Sequence, residues 1–318
     1  MSAKVSLAVD LNGVRFPTPV LAASGTFNAG REMAQLVDLR EVGGIVTKSI
    51  TLHPTRGLPV PRMAETPCGM LNAIGLQNPG VEEFLAKEAP FIASLGVPVV
   101  ASVAGRSVEE FAQVTLRLRE APVVAIEANI SCPNVERRNQ VFACHPDMAA
   151  EVIGAMVRLS RVPVFAKLTA DVTDLVAVAE ACVRAGAHGL SLINTVLGMA
   201  VDVETFRPKL GGVTGGLSGP AIRPIAVRCV YQVARALPGV PIMGVGGIVT
   251  ADDAAEFLLA GAWAVQVGTA NFFDPHATVA VARGLERYLR RKGLGSPAEL
   301  RGRLELPERV PELASRPG

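Results

Sequence analysis

The stretch from Val162 to Ile193, VPVFAKLTADVTDLVAVAEACVRAGAHGLSLI, decides the fold of this chain. Two segments in it, Val162–Leu168 and His188–Ile193, are apolar without alternation, which is typical of strands that are buried on both faces. The segment between them, Asp174–Ala185, has a helical pattern. A strand, a helix and a second strand in this order predict one unit of a parallel α/β sheet.

The same unit recurs along the chain. Further apolar runs bring the predicted strands to eight, and these runs are Val20–Ser24, Gly44–Ser49, Val97–Val103, Val123–Ile130, Pro241–Gly246 and Ala264–Gly268. Eight strands that alternate with helices favour a closed (β/α)8 barrel, the TIM barrel, over a doubly wound sheet. We expect residues 1–318 to form one domain, because such barrels use about 250 residues or more as a single unit.

The remaining segments predict how the barrel is closed and decorated. Val5–Pro19 has Asn12-Gly13 between apolar runs, which indicates a hairpin that closes the barrel floor. The long connections from Ile50 to Gly96 and from Val196 to Gly239 predict functional loops on the top face. The tail, about 293–318, has no role that its sequence predicts.

Composition excludes several classes of protein. The net charge of +2 gives no electrostatic reason to expect nucleic acid or an anionic membrane as a partner. No apolar run approaches the roughly 20 residues that span a bilayer, and no targeting segment is apparent, so we expect a cytoplasmic protein. The 5 cysteines are scattered without a C-x-x-C pair, which predicts no disulfide framework and no metal or iron–sulfur site.

Glycines at the ends of the last two strands predict a phosphate site. Gly244–Ile248 (GVGGI) precedes a helix, and Gly268-Thr269 ends the eighth strand. Barrels often hold a phosphate at this place on backbone N–H groups, and glycine allows the backbone to approach it closely. Thr214–Pro220 (TGGLSGP) is a third contributor. For any single cluster, the alternative is that the glycines only form tight turns.

Polar residues that end apolar strands are candidates for chemistry, because barrel enzymes react at the carboxyl ends of their strands. The residues at such positions are Ser24, Lys48, Ser102, Asn129–Cys132, Lys167, Asn194 and Thr195, and Lys48 and Lys167 each close an otherwise apolar strand. Either lysine could form a Schiff base, provide a fixed positive charge beside an anionic ligand, or extend its ammonium group to solvent. Asn129–Asn134 (NISCPN) presents amides and a thiol, and Cys132 is a nucleophile, a base or a small apolar side chain.

Several motifs together resemble the class 1 dihydroorotate dehydrogenases. They occur in the order of that family and are Asn72–Asn78 (NAIGLQN), Asn129–Asn134 (NISCPN), Ile193–Gly198 (INTVLG), Gly215–Pro220 (GGLSGP) and Gly244–Ile248 (GVGGI). The likeness extends to about Tyr288, and the form of the first motif is more similar to class 1B than to class 1A. Class 2 enzymes use a serine base and carry a membrane-associating N-terminal helix. Cys132 and the short N-terminal segment of this sequence both argue against class 2.

The resemblance implies an FMN-dependent enzyme that oxidises dihydroorotate to orotate in pyrimidine biosynthesis. Cys132 would take the proton from C5 as the catalytic base, with Lys48 beside the flavin and the substrate carboxylate, and the hydride at C6 would pass to N5 of FMN. The residues implied to bind the substrate are Lys48, Asn72, Ala73, Ile74, Gly75, Leu76, Asn129, Asn194 and Thr195. Those implied to bind FMN are Ser24, Lys48, Ser49, Ser102, Asn129, Lys167, Ile193, Gly219, Gly246, Gly247, Gly268 and Thr269.

Two positions depart from the family pattern. The family often has Asn where this chain has Ser102, and its mobile lid usually contains paired glycines where this chain has 135–140, VERRNQ.

The resemblance also implies a homodimer that associates with a second subunit carrying FAD and a [2Fe–2S] cluster, in a heterotetramer that passes electrons to NAD. The alternatives are another FMN barrel that acts on dihydropyrimidines, a Schiff-base lyase that uses Lys48 or Lys167, and a non-catalytic phosphate-binding barrel.

Overall fold

A computed structural model describes residues 5–131 and 142–307. Within these ranges, eight parallel strands form a closed barrel, and the last of them pairs with the first. The strands are β1 (Val20–Ala22), β2 (Ile45–Val46), β3 (Val99–Val103), β4 (Ala125–Asn129), β5 (Val164–Leu168), β6 (Gly189–Leu192), β7 (Ile242–Val245) and β8 (Ala264–Val267). The predicted (β/α)8 barrel is confirmed.

Helices cover the outside of the barrel and bury their apolar faces against the strands. They are α1 (Ala89–Leu95), α2 (Val108–Arg117), α3 (Pro146–Leu159), α4 (Leu175–Arg184), α5 (Arg223–Ala236), α6 (Ala251–Leu259) and α7 (Ala277–Lys292). A helical turn at Val81–Glu83 and a π-helical stretch at Phe84–Glu88 lead into α1. The connection after β1 contains two short 3-10 helices, Met33–Gln35 and Leu39–Glu41. Among the described residues, no helix combines the length and the apolar character that crossing a membrane would require.

The floor of the barrel is closed by an N-terminal hairpin. Its strands, Val9–Leu11 and Val14–Phe16, pair antiparallel around Asn12 and Gly13, which both have positive φ. Leu11 and Phe16 are buried and pack inside the barrel against Leu21, Val46 and Phe165. Because inward and outward side chains alternate along each strand, these inward residues form the lower layers of the barrel interior. The predicted hairpin therefore lies where the sequence indicated.

The long top-face connections fold into strands of their own. Four segments form an antiparallel sheet, here called the top-face sheet, in the order Val196–Gly198, Gly215–Ser218, Gly69–Asn72 and Met63–Thr66. A smaller pair joins Val201–Asp202 to Arg207–Pro208. The sequence predicted loops here, because these strands are short and the top-face sheet joins segments more than a hundred residues apart.

The described part of the C-terminal tail packs against the barrel. Leu300 is buried in the main core, and the backbone N–H of Gly302 donates to the carbonyl of Leu258 in α6. The Arg301 guanidinium lies 3.7 Å from the centre of the Trp263 ring, and its partial burial lowers the pKa of that group. These contacts tie the tail to the wall below β8.

Candidate active site

A cavity of about 410 Å³ lies at the carboxyl ends of the barrel strands, beneath the top-face sheet. Most of the residues that the sequence predicted for the site line it, although they come from distant parts of the chain. They are Ser24, Lys48, Ser49, Asn72, Ile74, Gly75, Leu76, Asn129, Lys167, Ile193, Asn194, Thr195, Gly219, Gly246, Gly247, Gly268 and Thr269. A second cavity, of about 310 Å³, lies on the outer wall between α6 and α7, away from these groups.

Three predicted site residues do not lie on this wall or cannot be placed. Ala73 is buried in a small apolar cluster with Leu71 and Leu210, because its side chain points away from the cavity. Ser102 is fully buried behind Ser49, and the two hydroxyl oxygens are 3.0 Å apart. Its link to the cavity is therefore indirect. Cys132, like the segment 135–140, lies outside the described residues.

The amides at the ends of β4 and β6 form one hydrogen-bonded network. Asn194 Nδ2 donates to Asn129 Oδ1 at 3.1 Å and to Ser131 Oγ at 2.7 Å. Asn129 Nδ2 in turn donates to Ser49 Oγ at 2.9 Å. Each side chain is thus held in one orientation before a ligand arrives, and the groups can present both donors and acceptors to a polar ring.

The glycines at the ends of β7 and β8 form a concave backbone surface. Gly246 and Gly247 have φ values of +133° and +74°, which other residues rarely adopt. A Cβ on Gly247 would lie 2.8 Å from the carbonyl oxygen of Gly219, so no side chain fits there without movement. Thr269 Oγ1, on the same cavity wall, donates to Ser218 Oγ at 2.8 Å. Backbone N–H groups that a ligand can approach this closely suit a phosphate.

The two lysines lie in different surroundings. Lys48 is partly buried on the cavity wall. Lys167 is almost fully buried, and its Nζ donates to Oε1 of Glu127 at 3.1 Å. The other oxygen of Glu127 accepts from Gln266 Nε2 at 2.8 Å. Glu127 and Gln266 were not predicted because they lie inside strands, although a charged residue in an otherwise apolar strand is a usable signal.

Further wall residues also escaped prediction. Thr26, Met63, Met70 and Phe272 all line the cavity, as does Ser218, which belongs to the predicted cluster Thr214–Pro220. Met63 and Met70 lie on the top-face sheet, whose strands the sequence did not predict. Thr26 and Phe272 lie a few residues beyond the ends of β1 and β8, so a pattern of polar residues at strand ends does not include them.

The other cysteines lie off the cavity wall. Burial raises the pKa of the Cys182 thiol to about 12 and raises that of Cys229 as well. Burial, with the nearby Asp171 carboxylate, raises the pKa of Cys144. Cys68 is exposed. The described residues contain no group of three or more His, Cys, Asp or Glu side chains that could hold a metal ion.

The fold and the cavity define a (β/α)8 barrel with a cavity at its mouth, which glycine backbone, ammonium groups and amide groups line together. The family model described as dihydroorotate dehydrogenase matches residues 6–289. The chain belongs to the dihydroorotate dehydrogenase family. The resemblance inferred from the motifs, and with it the assignment to a family of oxidoreductases, is confirmed.

Relatives in three bacteria carry the same description, "Dihydroorotate dehydrogenase B (NAD(+)), catalytic subunit". The protein of Geotalea daltonii is 49% identical over 305 residues, which cover 96% of this chain and 100% of the relative. That of Pelobacter propionicus is 50% identical over 303 residues, 95% of this chain and 99% of the relative. That of Geobacillus kaustophilus is 49% identical over 298 residues, 93% of this chain and 95% of the relative. This chain is therefore similar to class 1B along almost its whole length.

Proposed function

We propose that this chain is a catalytic subunit that oxidises (S)-dihydroorotate to orotate in the de novo synthesis of pyrimidines. The proposal rests mainly on one observation. A single cavity is lined by ammonium groups, amide groups and glycine backbone, which come from the ends of seven barrel strands and from the top-face sheet. Family membership and the description of the relatives support the same reaction.

We propose FMN as the cofactor, because the cavity meets the needs of its two ends. Gly246, Gly247, Gly268 and Thr269 offer a backbone surface on which a phosphate fits, and a Cβ would fill it at Gly247. The buried ammonium group of Lys167, on β5, also lines the cavity and suits a ligand that gains negative charge. When bound, FMN would supply the acceptor, at N5, for the hydride that leaves C6 of the substrate.

The chain's own residues would bind the substrate and move its proton. Lys48 would hold the substrate carboxylate, since an ammonium group on the cavity wall complements that charge. Asn72, Asn129 and Asn194 would orient the pyrimidine ring through its N–H and C=O groups. Cys132, outside the described residues, would remove the proton from C5, since a thiol is a plausible base at mildly alkaline pH.

The electron route would require other chains. The relatives are named catalytic subunits of an NAD(+) enzyme, and we propose that FAD and a [2Fe–2S] cluster reside on a partner subunit in a heterotetramer. We propose a homodimer of this chain as its core. That proposal is supported by large apolar side chains that are exposed along one top-face segment, namely Leu197, Met199, Val201, Val203 and Phe206.

The Schiff-base alternative fits the geometry less well for Lys167. A Schiff base requires a neutral amine as the nucleophile, whereas the Lys167 nitrogen is paired with a buried carboxylate at 3.1 Å.

The carboxylate of the substrate distinguishes the proposed reaction from that of other dihydropyrimidine dehydrogenases. Lys48 complements a carboxylate, which dihydroorotate has and dihydrouracil lacks.

The direct test is the oxidation of dihydroorotate and of dihydrouracil by the purified chain with an artificial electron acceptor. We expect turnover of dihydroorotate only. Cys132→Ser should lower the rate by about 100-fold or more, as loss of a general base does. Cys68→Ser changes an exposed thiol off the cavity wall and should keep the wild-type rate. Equal rates with both substrates, or an unaffected Cys132→Ser enzyme, would refute the proposal.

A further inference from the structure

Glu127 is a charged residue at a depth where the barrel is otherwise apolar. Its side chain has 0% exposure, and it lies in the middle of β4 between Ala125 and Asn129. Inward side chains alternate along a strand, so Glu127 lies one layer above Ala125, which belongs to the apolar floor, and one layer below the cavity wall. A carboxylate at this depth is costly unless it is fully paired.

Both oxygens of this carboxylate are paired. Oε1 accepts from Lys167 Nζ at 3.1 Å, and Oε2 accepts from Gln266 Nε2 at 2.8 Å. Gln266 Oε1 has no hydrogen-bond partner although it is buried. The amide therefore turns its donor to Glu127 at the expense of its own acceptor, which is the orientation that an ionised carboxylate requires.

Lys167 joins this pair to the cavity. It lies on the cavity wall, and within the described ranges Glu127 is the sole side chain bonded to its nitrogen. An ammonium group has three N–H donors, so one donor is used below the cavity and others remain for a ligand. A lysine side chain has several rotatable bonds, and a fixed partner restricts the positions that its nitrogen can occupy.

From this geometry we propose that Glu127 is a positioning residue for the reaction proposed above, on which this inference rests. Its carboxylate, oriented by Gln266, holds the Lys167 ammonium group at one point of the cavity wall, where the positive charge would stabilise a reduced flavin. A purely structural role explains the pair poorly, because buried ion pairs contribute little stability compared with apolar residues of similar size. The layer immediately below is filled by apolar residues such as Phe165 and Met243.

A double-mutant cycle on the reduction potential of bound FMN tests the inference without relying on turnover. Lys167→Met should shift the potential to more negative values in the wild-type background, because a cation that favours the reduced flavin is lost. In the Glu127→Gln background the same substitution should shift it clearly less, since the ammonium group is no longer held in place. Equal shifts in the two backgrounds would overturn the inference.

Gln266→Leu provides a second route in case Glu127→Gln does not fold. It keeps both charges and removes the donor that orients Glu127, so the shift caused by Lys167→Met should again be smaller than in the wild type. An undiminished shift would overturn the inference while leaving the proposed function intact. A wild-type chain that binds FMN but is not reduced by dihydroorotate would refute the proposed function, and one that binds no FMN would refute both.

Discussion

The Nδ2 group of Asn194 donates a hydrogen bond of 3.1 Å to Oδ1 of Asn129 across the intervening strand β5. This bond links the carboxyl ends of β4 and β6, and it directs the Nδ2 group of Asn129 toward Ser49. The amides that we propose for ring recognition are thus oriented by one another. Their arrangement exists before a substrate binds, which lowers the cost of binding.

Asn194→Asp should weaken this network. A carboxylate cannot donate to Asn129 Oδ1 or Ser131 Oγ, so Ser131 Oγ loses this donor and Asn129 Oδ1 keeps only the bond of 3.3 Å from Ser131 Oγ. We expect the free energy of unfolding to fall by about 1–3 kcal/mol and orotate to bind more weakly. Urea denaturation and an orotate titration measure the two effects. Gln35→Glu makes the same amide-to-carboxylate change at an exposed position, and an equal loss there would contradict the prediction.

Gly247→Ala should impair the proposed phosphate surface. The added Cβ would lie 2.7 Å from Cβ of Arg223 and 2.8 Å from the carbonyl oxygen of Gly219, and φ is +74°. We expect the dissociation constant for FMN to rise by about tenfold or more, which corresponds to roughly 1.4 kcal/mol. Fluorescence titration of the apoprotein with FMN measures it.

Gly239→Ala is the matched control for that substitution. Gly239 has a φ of +86° but no atom within 4 Å of the position of an added Cβ. It therefore carries the same backbone strain without the crowding, away from the cavity wall. Unchanged FMN affinity in Gly247→Ala, or the same loss of affinity in Gly239→Ala, would show that crowding at Gly247 does not determine FMN affinity.

Phe16→Ala should destabilise the barrel from below. Phe16 belongs to the N-terminal hairpin, is 1% exposed and packs into the barrel interior. Removing a buried Phe side chain typically costs about 3–5 kcal/mol, because a cavity remains. Phe206→Ala, at a residue that is 89% exposed in this chain, should change the stability of the monomer by less than about 0.5 kcal/mol. Similar losses in both variants would mean that the hairpin does not close a packed floor.

The buried cysteines should resist alkylation in the folded protein. Burial raises the pKa of Cys182 to about 12, so at pH 8 only about one thiol in 10,000 is the reactive thiolate. The pKa of Cys229 is raised for the same reason. Peptide mapping after iodoacetamide treatment at pH 8 should find both unmodified, and both modified once urea unfolds the chain. Rapid modification of Cys182 in the folded protein would contradict its burial.

Much of the fold followed from periodicity. Non-alternating apolar runs such as Val162–Leu168 predicted strands within a few residues, because a barrel strand is buried on both faces. The top-face sheet did not follow, since Gly69–Asn72 pairs with Gly215–Ser218 and such long-range pairing leaves no local signal. The glycine surface was predictable because its strand ends and turns are encoded locally.

The site was predictable only where chemistry lies at strand ends. The positions at strand ends include Lys48, Lys167 and Asn194, which were predicted. They do not include Glu127, which lies two residues before the end of β4. The expected contact of Ala73 came from the resemblance alone, whereas Ser102 was also expected because it lies near the end of an apolar strand. The structure turns Ala73 into an apolar cluster and places Ser102 behind Ser49, and side-chain direction at this level depends on packing rather than on the motif.

The most direct test of the central claim is an anaerobic titration of the purified chain with dihydroorotate, followed by the absorbance of bound FMN. We predict that the oxidised flavin band bleaches as dihydroorotate is added, which would establish the cofactor, the substrate and the direction of electron flow together. A flavin-containing protein whose band stays unchanged with dihydroorotate, while dithionite bleaches it, would contradict the proposed function.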